Sequence, residues 1–265
     1  MFVLSLNGIW QLEAAGEAGS VPARVPGSVL DAFLAAGRLE DPYRRRNETA
    51  ARDFCERDFL YSTAFDADPD LLGRKRIELV CLGLDTVATL EVNGQVVGRT
   101  ANMHRSFRFD IARVLRLGKN TIRIRLASPL REIRERLAAS PDAISYVAGG
   151  NLPGTSLLRK AHCMYGWDWG PQLPDAGIWR DIRIEAFNTA RLDEVAVSQD
   201  HREDGTVRLA VRLRADAADS GSILWAWCTL TAPDGQVLRQ SLDLAGGRGE
   251  TVFAIRNPQR WWPNG

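Results

Sequence analysis

The sequence predicts an all-β chain built as two β-sandwiches, and three observations carry that prediction. Apolar residues recur with a period of two: Ile77, Leu79 and Cys81 against Arg76 and Glu78, then Ile122, Ile124 and Leu126 against Thr121, Arg123 and Arg125. This spacing gives each strand one apolar face, as antiparallel sheets packed face to face require. Asn93-Gly94 stands between two such runs and is the strongest short hairpin signal in the chain. From Leu192 onward several short strands follow in roughly 70 residues, the density of an immunoglobulin-like sandwich.

The elements follow in order. Leu4 to Leu12 reads as a strand with a turn near Asn7-Gly8, and a loop follows to Val25-Pro26-Gly27. Ser28 is a helix N-cap; Val29, Leu30, Phe33 and Leu34 repeat at helical spacing, and Gly37 is the stop. Asp41-Pro42-Tyr43 and Arg44 to Asn47 read as loop, and Phe59 to Phe65 as strand. Strands are expected around Ile77, Leu90, Val96, Phe109 and Ile124. Pro129 to Ser140 is a charged helical insert with Leu130, Ile133 and Leu137 on one face. A glycine-rich loop from Tyr146 to Leu158 precedes the last strand of this unit, Ile178 to Phe187. Asn188-Thr189-Ala190 marks a boundary. Beyond it, strands are expected at Leu192 to Val197, Val207 to Leu213, Ile223 to Leu230, Val237 to Leu242 and Thr251 to Ile255. Trp225 and Trp227 share one strand face and are expected in the core.

The totals exclude several functions. The 265 residues suffice for one large or two ordinary domains, and 45% are apolar. Thirty-four Lys and Arg against 33 Asp and Glu leave a net charge of +1, so no field attracts nucleic acid or an anionic membrane. No run approaches the roughly 20 apolar residues of a membrane span. No basic, then apolar leader opens the sequence, and the four cysteines are scattered, which favours a cytoplasmic location and reduced thiols. His104, His162 and His201 are too dispersed for a metal site, and Gly149-Gly150 lacks the spacing of a phosphate cradle, so neither metal nor cofactor is expected. No nucleophile elbow occurs, and no carboxylate pair is marked for acid–base work.

One stretch stands apart. Arg159 to Arg180 holds Trp167, Trp169 and Trp179, three glycines, two prolines and the carboxylate of Asp168 between two indoles. Glycine and proline together predict a rigid, irregular loop presenting Trp167, Asp168 and Trp169. Indole faces pack on the C–H face of a sugar, and a carboxylate accepts from its hydroxyls. Composition alone leaves a second reading open, two core tryptophans beside a solvated Asp168.

Several motifs occur together in one order: Leu6-Asn7-Gly8-Ile9-Trp10, Val25-Pro26-Gly27-Ser28, Asp41-Pro42-Tyr43 with Asn47-Glu48, and Arg159-Lys160. They are followed by Gly166-Trp167-Asp168-Trp169-Gly170-Pro171, Gly177-Ile178-Trp179-Arg180 and Trp261-Trp262-Pro263-Asn264-Gly265. The set resembles the N-terminal part of the β-mannosidases of glycoside hydrolase family 2, over effectively the whole chain. The resemblance implies a galactose-binding-like jelly-roll at 1–188 and an immunoglobulin-like sandwich at 189–258. It also implies that 259–265 begin a linker to a (β/α)8 catalytic barrel beyond Gly265, so that the chain is a fragment. The barrel would carry both catalytic glutamates of a retaining exo-β-mannosidase, and no catalytic residue is expected in this chain. Asp168 and Trp167 would contact the terminal mannose of a β-mannoside. Trp169 would join them or pack inward, and Asn47 and Glu48 would approach the same pocket. Arg159, Lys160 and Arg180 would orient Asp168 or pair structurally. Two alternatives stay open: a free-standing carbohydrate-binding module, and a fragment of another family 2 enzyme, a β-galactosidase or β-glucuronidase.

Overall fold

The computed structural model describes residues 1–140, 142, 149–219 and 221–263. Tyr146, Val147 and Ala148 of the glycine-rich loop, and Asn264 and Gly265 of the terminal motif, lie outside the described residues. The first expected strand is split into Phe2–Ser5 (β1) and Gly8–Ala14 (β2), which enter different sheets. Trp10, fully buried, donates its indole N–H to the Leu6 carbonyl at 2.8 Å and so closes the step between them.

Val21–Val25 forms a strand (β3) where the sequence reads as loop. Its residues alternate buried and exposed, and Pro22 is tolerated because β3 is the edge of its sheet. Val29–Ala35 is the expected helix (α1), and Ser28 Oγ accepts from the Asp31 amide at 3.3 Å as its cap. Asn47–Phe54 is a second helix (α2), again in place of loop. Its N-cap, Arg46, makes no side-chain capping bond, so the usual start signal is missing. Burial of Ala51 and Phe54 holds it, with the Phe54 ring against Phe33 (4.7 Å between centroids) and Phe59 (5.6 Å).

The chain continues through Phe59–Ala67 (β4), a short helix Pro69–Leu72 (α3), Arg76–Cys81 (β5), Val87–Val92 (β6), Gln95–Ala101 (β7), Phe107–Asp110 (β8) and Gly118–Leu126 (β9). The β6–β7 turn is Asn93-Gly94, both with positive φ, as the primed hairpin turn requires. Pro129–Ala139 is the amphipathic helix (α4), capped by Ser128 and buried through Leu130 and Ile133. Tyr165–Trp167 (β10), Gly170–Gln172 (β11) and Ile182–Phe187 (β12) complete the first unit.

Its frame is an antiparallel six-stranded sheet, β3-β2-β4-β9-β6-β7, and a four-stranded sheet, β1-β12-β5-β8. Leu12, Tyr61, Leu90 and Ile124 of the first sheet join Ile77, Leu79, Ile182 and Ile184 of the second in one buried cluster. Alternation fails along β5, where Glu78 is as buried as its apolar neighbours. Glu78 and Glu185 are both bonded by Arg108 Nη1, at 3.2 and 2.6 Å, and Arg183 Nε bonds Glu185 at 2.7 Å. Burial acts to raise the Glu185 pKa, but the bonds from Arg108 and Arg183 outweigh it and hold the carboxyl below its ordinary value. A carboxyl whose folded pKa is depressed adds stability above its unfolded pKa, about 4.3, and loses it as pH falls through the folded value. The urea midpoint of the chain is therefore expected to fall from about pH 5 downward, and Glu185→Gln should flatten that fall. Equal slopes for the two proteins would rule Glu185 out as a source of the acid sensitivity.

The second unit spans Phe187–Gly265, the first Met1–Ala186. Ala190–His201 (β13), Val207–Ala217 (β14) and Arg248–Ile255 (β17) make an antiparallel sheet in the order β13-β14-β17. Trp225–Thr231 (β15) and Val237–Asp243 (β16) make a hairpin. Val211, Leu213, Leu242 and Phe253 form their common core. Trp225 and Trp227 do share a face, but it is the outer one: they are 61% and 60% exposed and pack edge to face against each other. Ala226, Cys228 and Leu230 point inward instead. No helix among the described residues is long and apolar enough to cross a membrane.

Candidate functional site

Within the distinctive stretch, residues 165–172 form a small antiparallel hairpin, while 173–180 stay largely irregular. Tyr165 pairs with Gln172 and Trp167 with Gly170, which leaves Asp168 and Trp169 as the two residues of the turn. Gly166 has φ +92°, and a Cβ there would lie 2.5 Å from Gln172 Cγ, so the close crossing of the two arms needs glycine. Tyr165 is fully buried at the base, where burial pushes its phenol pKa up and its hydroxyl meets no hydrogen-bond partner among the described residues.

At the tip, Trp167 is 40% exposed and Trp169 79% exposed. Inward packing of Trp169 is thereby excluded. Asp168 is exposed and forms no hydrogen bond or ion pair with a described residue. Gly149 lies against the Trp167 indole, since a Cβ at Gly149 would sit 2.7 Å from its Cε2 atom. The glycine supports the ring from one side and leaves part of it accessible. The tip therefore offers an indole surface, a second indole and an uncommitted carboxylate, the combination suited to a polyol.

Asn47 stands at the start of α2, half-buried, and its Nδ2 donates to the Asp41 carbonyl at 3.0 Å. Its amide ties the 41–46 turn to the helix. Contact with the hairpin is made by its neighbour: Glu48 Oε1 accepts from the Gln172 amide at 2.7 Å. Arg52, one turn on, donates from Nη1 to Gln172 Oε1 at 2.5 Å, and Gln172 Nε2 donates to the Gly150 carbonyl at 2.7 Å. Arg52 and Gln172 carry no motif, and no sequence signal couples positions 120 residues apart.

The basic residues of the stretch do not orient Asp168. Lys160 is fully buried, with Nζ bonded to the Asp85 carboxylate and, at 2.6 Å, to the Asp175 carbonyl. The Asp175 carboxylate accepts from Leu30 N (3.0 Å) and Ala176 N (2.7 Å), at the first turn of α1. Burial raises its pKa against those bonds, the Ser28 hydroxyl and the charge of Lys160. Arg180 is exposed and stacks over the Trp179 ring at 4.1 Å, and Arg159 is exposed on the surface. Gly177 lies under the Val25–Ser28 turn, where a Cβ would meet the Gly27 carbonyl oxygen at 2.5 Å. Lys160, Gly177 and the Val25–Ser28 turn, from three of the sequence motifs, thus belong to one framework and form no part of the exposed tip. Among the described residues no group of three or more His, Cys, Asp or Glu side chains is placed to hold a metal ion.

Known proteins agree with this architecture. The family model of the glycosyl hydrolase 2 galactose-binding domain-like region matches residues 10–180. Beta-mannosidase B of Emericella nidulans is 32% identical over 97% of this chain and 31% of its own length. Beta-mannosidase of Bos taurus is 33% identical over 72% of this chain and 22% of its own length. The crystal structure of beta-D-mannosidase from Dictyoglomus thermophilum superposes with a TM-score of 0.88 at 28% identity, covering 100% of this chain and 32% of that one. The chain spans about a third or less of the length of these relatives.

Proposed function

The chain belongs to glycosyl hydrolase family 2 through its galactose-binding-like domain, and from that premise we propose that it is the sugar-binding, non-catalytic front part of a retaining exo-β-mannosidase. The observation that carries the reading is the hairpin tip, where an exposed carboxylate without a partner among the described residues stands between two accessible indoles. Residues 1–188 act as the sugar-binding domain and 189–258 as an immunoglobulin-like support, and 259–265 lead toward a (β/α)8 catalytic barrel in the parent polypeptide.

The division of labour follows from the chemistry. A retaining glycosidase needs two carboxyl groups about 5–5.5 Å apart, one as acid and base, the other as nucleophile. The barrel supplies that pair. Asp168 accepts hydrogen bonds from hydroxyls of the terminal mannose, and Trp167 packs against its C–H face. Trp169, at the end of the hairpin, extends the aromatic wall. Asn47 serves the turn before α2 and reaches the pocket only through its neighbours. These contacts fix the ring while the glycosidic oxygen is protonated, so part of their binding energy is expressed as rate.

The test is an assay of the full-length parent and of this chain alone on aryl glycosides. The parent is expected to hydrolyse an aryl β-mannoside, with retention, in preference to the β-galactoside and β-glucuronide. The isolated chain is expected to show no turnover. A parent that prefers the galactoside or glucuronide sinks the substrate assignment, and hydrolysis by the isolated chain sinks the division of labour.

A further inference from the structure

We infer that Gln172 is a positioning residue for the Asp168–Trp167 site, an inference that rests on the function proposed above. Four contacts converge on this one side chain and its amide. The backbone N–H donates to Glu48 Oε1 at 2.7 Å, and the side-chain oxygen accepts from Arg52 Nη1 at 2.5 Å. The side-chain nitrogen donates to the Gly150 carbonyl at 2.7 Å, and Cγ fills the space that Gly166 leaves free. Glu48 and Arg52 lie one turn apart on α2, so helix and hairpin are joined at two points on the same face. Gly150 follows Gly149, on which the Trp167 indole rests. A continuous path therefore runs from Arg52 through the Gln172 amide to the backbone that supports Trp167.

The hairpin needs such a brace. Its arms are only three residues long, and its tip residues Asp168 and Trp169 are exposed. Two strands of this length do not hold a fixed orientation in water by their own pairing. A primary amide is well suited to this node, because it accepts from a guanidinium and donates to a carbonyl at the same time. Glutamate would lose the donor and set a second carboxylate beside Glu48, and methionine would keep the length and lose both bonds.

A double-mutant cycle on kcat/KM of the full-length parent, with an aryl β-mannoside, tests the inference. Gln172→Met is expected to lower kcat/KM roughly tenfold in the wild-type background and less than about twofold beside Asp168→Asn, since the hairpin that the brace holds acts on the sugar chiefly through the carboxylate in its turn. Arg52→Met, which removes the donor to Gln172, is expected to reproduce the pattern and serves where Gln172→Met does not fold. Equal losses in both backgrounds would overturn the positioning role and leave a general structural one. No loss from either substitution, with Asp168→Asn still impaired, would overturn it as well. If Asp168→Asn itself has no effect, the assignment of the sugar site fails, and that result is distinct from the other two.

Discussion

Lys160→Met is expected to destabilise the first unit by about 3–5 kcal/mol, the usual cost of removing one member of a buried ion pair. The expectation follows from what the ammonium leaves behind. Lys160 and Asp85 are both buried, and Lys160 Nζ also holds the Asp175 carbonyl at 2.6 Å. Asp85 exchanges both of its backbone bonds with Gly177, at 2.9 and 3.1 Å, and Gly177 in turn packs against the Val25–Ser28 turn. Methionine fills nearly the same volume, so the loss is electrostatic rather than a cavity effect. It leaves a buried carboxylate without its cation and a half-buried carbonyl without this donor. Adding Asp85→Leu should recover much of the loss, because two apolar side chains of similar size replace a pair that is costly to desolvate. Urea unfolding of the three proteins measures this. A single substitution that shifts stability by less than about 1 kcal/mol would show the pair to be dispensable.

Much of the frame was legible in the sequence because it rests on local rules. Period-two runs located β5, β6 and β9, Asn93-Gly94 located the β6–β7 turn, and Ser28 located α1. Where local signals were weak, tertiary burial decided instead. Helix α2 has no side-chain cap and is held by Phe54 against Phe33 and Phe59, a contact that no local pattern displays. β15 shows a different failure. Its period was correct and its inward face was reversed, because the bulky Trp225 and Trp227 drew the reading. The partner strand holds the answer: Asp243 stands opposite Trp225 and Ser241 opposite Trp227, while Leu242 faces Ala226 and Leu238 faces Leu230. Polar residues on β16 mark the solvent side, so reading the two strands together would have assigned the faces.

The same division separates the parts of the candidate site. Trp167, Asp168 and Trp169 are consecutive, and their composition alone set them apart. Their support was only partly legible: Glu48 belongs to a quoted motif, but Arg52 and Gln172 carry none, and Gln172 lies 124 positions from Glu48 and 120 from Arg52. Lys160 illustrates the converse, a residue singled out by motif whose charge serves Asp85, 75 positions away, and not the exposed tip.

The substitution that bears most directly on function is Asp168→Ala. In the full-length parent it is expected to lower kcat/KM for an aryl β-mannoside by roughly ten- to a hundredfold, the effect of losing about 1.5–3 kcal/mol from a charged hydrogen bond. Thermal stability should be unchanged, because Asp168 is exposed and binds no described residue. That separation of rate from stability is what distinguishes a ligand contact from a framework residue such as Lys160, whose loss lowers stability first. Substrate analogues sharpen the result. If the carboxylate accepts from a particular sugar hydroxyl, the deoxy-mannoside lacking that hydroxyl should be a poor substrate for the wild type. It should lose little more with Asp168→Ala, since the same bond is then removed from both sides. Additive losses for every deoxy substrate would mean that Asp168 acts on the sugar only through its general field. Unchanged kcat/KM would return the hairpin to the reading that composition alone left open, a pair of indoles beside a solvated carboxylate.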